Sequence, residues 1–252
     1  MRSMPLPNLL IWISGILLLG FIAIMGIRRR LYREFPIFST YVLFHLLHAT
    51  LALWVYYRLS SEVYYFFHWG GEAFDGLLSL ALIYEIFSQA LSPYPGIRRT
   101  GLRLYFIASL VLTLGAMWIA VSDPHSISQR LNSAVISMDR SFEFMQVGLL
   151  FLLFVFHHLL GLSWRHYLFG IVLGLSISTT ISVLSTAARL QIGMSWSNIF
   201  VLLAPLSYDL GLVVWSYYTA TSESKVHVTE VPYSAHLTRW NHALEEILAR
   251  QE

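Results

Sequence analysis

Residues 6–27 read LPNLLIWISGILLLGFIAIMGI, and the three residues that follow, 28–30, are all arginine. About 20 predominantly apolar residues in a helix cover the roughly 30 Å hydrocarbon core of a bilayer. The run is too long for the apolar core of a signal peptide and ends on arginines rather than on a small-residue cleavage site. It therefore reads as a retained transmembrane helix, and the rest of the chain reads in the same way.

Working outward, six more stretches meet the same length and polarity test: Pro36–Arg58, Val63–Leu91, Leu102–Val121, Ser137–Leu162, Tyr167–Leu190 and Ser195–Thr219. Ser92-Pro93-Tyr94-Pro95-Gly96 and Asp123-Pro124 punctuate them. Helices are expected because lipid leaves no partner for open backbone groups, and the period-2 alternation of a membrane barrel is missing. The composition agrees: 56% of the 252 residues are hydrophobic and 12% charged, against about a quarter charged in soluble domains. The expected fold is all-α, a seven-helix membrane domain over residues 1–220 with a tail over 221–252.

Arginines set the orientation. Arg28, Arg29, Arg30, Arg33, Arg98, Arg99, Arg103 and Arg165 fall on one side, eight against five for Arg2, Arg58, Arg130, Arg140 and Arg189 on the other. The tail adds Lys225, Arg239 and Arg250 to the first side. This predicts an outside N-terminus and a cytoplasmic C-terminus. Trp54, Tyr56, Tyr57, Tyr64, Tyr65, Trp164, Trp196, Tyr217 and Tyr218 flank the spans as an aromatic belt does. In the tail, Leu237, Trp240, Leu244, Ile247 and Leu248 recur at helical spacing behind Ser234 as N-cap. That pattern predicts a short amphipathic helix for the inner membrane surface, for a membrane or cytoplasmic protein partner, or for packing on the base of the bundle itself. Fifteen arginines to a single lysine fit a bacterial genome of high GC content, hence a bacterial cytoplasmic membrane.

Ionisable residues within spans are costly unless paired or wetted, which makes each a functional candidate. An outer group starts with His68, Glu72 and Asp75, which at i, i+4 and i+7 share one helical face. Asp139, Glu143 and Gln146 repeat that spacing on the fifth span, with Arg140 placed to neutralise one of these carboxylates and Arg189 entering from the outer end of the sixth span. The sixth span adds Ser176, Ser178, Thr179, Thr180, Ser182, Ser185 and Thr186. Together they predict an outward-facing polar pocket for a ligand, an ion, or a metal held by His68 with carboxylates. A hydrogen-bonded network that only holds helices together is the structural alternative.

An inner group comprises His45, His48, Glu85, His157, His158, Tyr208 and Asp209. His45 and Asp209 stand at similar depth and can meet as a proton-linked pair, and the histidines are also able to clamp a b-type haem. Gly170, Gly174, Ser178 and Ser182 form a ridge of small residues at i+4 steps, and Pro205 should kink the last span a turn before Tyr208.

Several classes fall away. A net charge of +2 without a basic stripe argues against nucleic-acid binding, and the lack of cysteine excludes disulfides and thiolate chemistry. The single lysine lies in the tail, so no span offers a retinal Schiff base. Ala204-Pro205-Leu206-Ser207-Tyr208 replaces the Asn-Pro-x-x-Tyr of G-protein-coupled receptors. The His-x-x-x-His pair that seven-helix zinc hydrolases carry in the last helix does not occur there. What remains is a receptor-like or sensory protein with an outer pocket, a membrane enzyme or redox protein, or an accessory subunit of a membrane complex.

Overall fold

In the computed structural model the described residues are 5–92, 94–122, 143, 146–148, 150–151, 153–155, 166–192 and 197–221. They are helical with short connections: α1 (Leu6–Arg28), α2 (Leu31–Glu34), α3 (Pro36–Arg58), α4 (Ser61–Ala90), α5 (Pro95–Ser122), α6 (His166–Ile192) and α7 (Ser197–Ala220). Helical residues between 143 and 155 belong to the expected fifth span. The amphipathic helix expected beyond Ser234 lies outside the described residues.

Among the described residues three helices, at Leu6–Arg28, Pro36–Arg58 and His166–Ser185, are long and apolar enough to cross a membrane. The described part is thus an all-helical protein of membrane character. Its surface agrees, since Leu6, Leu17, Phe66 and Phe151 are each 68–73% exposed, side chains that suit lipid contact. Helices α4, α5 and α7, of 30, 28 and 24 residues, have spanning length but carry more polar groups.

The starts and stops follow local chemistry. Phe35, the residue before α3, supplies no side-chain cap. Pro36 has no N–H to satisfy, while the N–H groups of Ile37 and Phe38 donate to Glu85 Oε1 and Oε2 at 3.0 and 2.8 Å. Ser39 N–H then makes the first helical bond, to Phe35 O. A carboxylate on α4 therefore supplies the cap that the sequence before α3 lacks. Expected within an inner functional group, Glu85 is a helix cap. Helix α5 begins at Pro95, seven residues before the expected Leu102, because proline suits the first helical turn. The single turn α2 was not expected; it follows Arg30, which takes the left-handed conformation at φ 56°.

Around the bundle, α6 packs on α7, α7 on α1, α1 on α3, α3 on α4, and α4 on both α5 and α6. The small-residue ridge faces inward along this ring. A Cβ on Gly174 would stand 2.9 Å from Gly211 O and 2.3 Å from Trp215 Nε1, and one on Gly170 would meet the Tyr218 ring at 2.4 Å. The Gly170, Gly174 and Ser178 part of the ridge is the seam between α6 and α7, where missing side chains let the backbones touch, while Ser182 bonds to Glu143. Next to it lies the core: Leu19 and Ile22 of α1, Phe38 and Val42 of α3, Leu82, Ile83 and Ile86 of α4, Val172 of α6, and Leu212 and Trp215 of α7. Trp215 meets Phe38 edge-on at 5.2 Å and donates its indole N–H to Ile171 O.

Candidate functional site

The core closes the bundle toward the arginine-bearing end. Toward the other end α3, α4, α6, α7 and residues 143 and 146 line an open cavity of about 180 Å3, large enough for several waters or a small ligand. Its walls are Tyr41 of α3, Glu72, Asp75, Gly76 and Ser79 of α4, Glu143 and Gln146, Leu175, Ser178, Thr179 and Ser182 of α6, and Ser207 and Tyr208 of α7. Three carboxylates and a row of hydroxyls therefore face one space.

Helical periodicity places them. Glu72, Asp75 and Ser79 recur at i, i+3 and i+7 on one face of α4, and Leu175, Ser178, Thr179 and Ser182 do so on α6. The hydroxyls bond locally or across the cavity wall: Ser178 and Thr179 donate to Leu175 O, with Gln146 Oε1 3.2 Å from the Thr179 hydroxyl, and Ser182 donates to Glu143 Oε1. The Tyr208 hydroxyl is buried and has no hydrogen-bond partner among the described residues.

His45 joins the two expected groups. Its Nε2 lies 2.6 Å from Asp75 Oδ1, a short ion-pair contact whose strength depends on the imidazole's protonation. The ring sits between Tyr41, at 4.3 Å between centroids, and Tyr208, at 5.5 Å. The expected meeting of His45 with Asp209 does not form. Asp209 follows Tyr208, so its side chain is turned about 100° away around α7. It faces α1, where its Oδ2 accepts the Ser14 hydroxyl at 2.6 Å. Gly15 next to Ser14 keeps that approach open, since a Cβ there would be 3.1 Å from Asp209 Oδ1.

His68 stands at the rim. Its Nδ1 is 3.7 Å from Glu72 Oε1, and its ring stacks on Tyr64. Of the expected trio, Glu72 and Asp75 line the cavity and His68 does not. Among the described residues no three His, Asp or Glu side chains gather at metal-binding spacing. His48 is held between the Phe44 and Phe67 rings, both nearly parallel to it, with Nε2 toward Phe67 O at 3.5 Å. Gly71 gives it room: a Cβ there would come within 1.9 Å of that nitrogen. The Nε2 atoms of His45 and His48, the expected haem ligands on α3, are thus both directed at protein groups. Asp139, Arg140, His157 and His158 lie outside the described residues, as does the side chain of Arg189 on α6.

Sequence reasoning missed Tyr41 as a wall of this site. Its position one turn before His45 on α3 is the signal that points to it. No family model matches the chain, and neither a curated protein nor a solved structure is similar to it.

Proposed function

We propose that the chain is a seven-span receptor-like or sensory protein of a bacterial cytoplasmic membrane, N-terminus outside and C-terminus inside, whose cavity takes a small polar ligand. The observation that carries this reading is the convergence of Glu72, Asp75 and Glu143 on one cavity within segments of membrane character. Carboxylates in hydrocarbon are kept where water, a partner or a ligand reaches them. The lining favours a ligand rich in hydrogen-bond donors or positive charge. Such a ligand competes with His45 for Asp75, and freeing His45 from Asp75 alters its packing against Tyr208. Pro205, inside α7 and a turn away, lacks the backbone N–H that would stiffen the helix there. Displacement of Tyr208 then travels along α7 toward the tail and its partner.

The native chain has no cysteine, which makes the test direct. In Ser182→Cys, a membrane-impermeant thiosulfonate added from outside should react, whereas Leu184→Cys, 61% exposed on the outer surface of α6, should stay unmodified in lipid. The opposite pattern overturns the reading. Reporter fusions after Arg33, Arg99 and Thr221 should all report cytoplasm. A second reading, a proton-linked enzyme or redox protein, draws on the 2.6 Å His45–Asp75 contact. A Soret band or stoichiometric metal in purified protein would favour it, whereas ordered assembly only with a second protein would favour an accessory subunit.

A further inference from the structure

A second cavity of about 180 Å3 lies away from the polar one, between the last turns of α1, the turn α2 and the first turns of α3. Ile22, Leu31 and Val42 form a closed apolar floor, each 3% exposed or less. Gly26 opens the wall, since nothing lies within 4 Å of where its Cβ would stand. From Ile22 to Ile27 the groove follows α1 for about 8 Å at 1.5 Å per residue.

The residues next to its lining are cationic, for Arg28 follows Ile27, Arg30 precedes Leu31 and Arg33 follows Tyr32. Arg28, Arg30 and Arg33 are exposed, whereas Arg29 is committed to Tyr167 OH and to the last carbonyls of α7. Arg33 stacks at 5.8 Å over the ring of Tyr32, which itself lines the groove. Arg30 holds a left-handed backbone conformation, the only non-glycine residue at positive φ among the described residues. Glycine would take that conformation with less strain, so an arginine there points to a use for its side chain. An apolar groove flanked in the chain by exposed arginines matches an amphiphile with an apolar tail and an anionic head. Free phosphate lacks the tail, and a zwitterionic lipid lacks the net charge.

We infer that the groove between α1, α2 and α3 is a specific site for an anionic phospholipid, with an acyl chain along Ile22–Ile27 and the phosphate between Arg30 and Arg33. Diffuse attraction of a basic loop to anionic lipid needs no groove, and this difference makes the site testable.

The experiment is thermal unfolding of the full chain in phosphatidylcholine nanodiscs with and without phosphatidylglycerol. Phosphatidylglycerol at roughly tenfold its Kd should raise Tm by about 3–6 °C, and inorganic phosphate should not. The pair Arg30→Gln with Arg33→Gln should lose the shift. Gly26→Phe, which fills the groove and leaves every arginine in place, should lose it too; Leu43→Trp is a second filler from the α3 wall. Arg30→Gly separates strain from binding, since Tm in phosphatidylcholine should hold or rise while the phosphatidylglycerol shift shrinks. A full shift in both groove-filled variants, or the same shift with inorganic phosphate, overturns the inference.

Discussion

The two ends of the bundle share α3, α4, α6 and α7 and hold their polar groups differently. At the arginine-bearing end, Glu85 accepts from the N–H groups of Ile37 and Phe38, Trp215 donates to the carbonyl of Ile171, and Arg29 donates to the carbonyls of Ala220 and Thr221 as well as to the Tyr167 hydroxyl. Around the cavity the carboxylates are held by side chains, Asp75 by His45 and Glu143 by Ser182, while the Ser178 and Thr179 hydroxyls bond to the Leu175 carbonyl. A backbone partner cannot leave without unwinding a helix. A side-chain partner can rotate away and be replaced by a ligand. On the proposed function, the first arrangement builds a fixed end and the second a responsive one.

The largest expected effect tests the fixed end. Glu85→Ala leaves two N–H groups of α3 without acceptors in a site where Glu85 is 6% exposed, and should destabilise by about 2–4 kcal/mol in detergent unfolding. Glu85→Gln, which keeps one acceptor, should fall between it and wild type. If Asp75→Ala proves more damaging than Glu85→Ala, the contrast between the ends is wrong. Gly174→Val comes next, at about 1–3 kcal/mol, because its Cβ would press on both Gly211 O and Trp215 and the seam must open.

What was legible in the sequence follows the range of the interaction. The limits of α1 and α3 could be read because they depend on local runs, on Arg28–Arg30 and on Pro36. The turn α2 could not, since four residues carry no periodicity and Arg30 gives none of the glycine signal that usually marks a left-handed backbone. The shared face of Glu72 and Asp75 was legible from spacing alone. Their companions were not: which helix faces Asp75 depends on the order of helices around the bundle, and so His45 went to Asp75 and Asp209 to Ser14. Glu85 had the signature of a functional intramembrane acid, and only the fold shows that it caps a helix distant in sequence.

Asp75→Asn sharpens the comparison at the responsive end. The amide keeps the shape and gives up the charge-assisted bond to His45, so a loss of about 1–2 kcal/mol is expected. The same change in a His45→Gln background should cost clearly less, because the partner is already gone. Equal losses in both backgrounds would show that the 2.6 Å contact contributes little to stability.

Glu72→Gln should have the smallest effect on stability and the clearest on binding. Glu72 is 36% exposed and faces His68 across 3.7 Å, a geometry in which ion pairs contribute about 0–1 kcal/mol. The neutral amide preserves the cavity wall, so unfolding should shift by about 0.5 kcal/mol or less. A ligand that uses the carboxylate loses a charge-assisted hydrogen bond worth about 1.5–3 kcal/mol, which is roughly 10- to 150-fold in Kd. The measurement is a thermal-shift series with small organic ammonium ions on wild type and variant side by side. Loss of the shift with unchanged baseline Tm marks Glu72 as a binding group of the responsive end. A lowered baseline Tm with no change in any shift would instead assign Glu72 to helix cohesion, and the cavity would then belong with Glu85 among the groups that build the bundle.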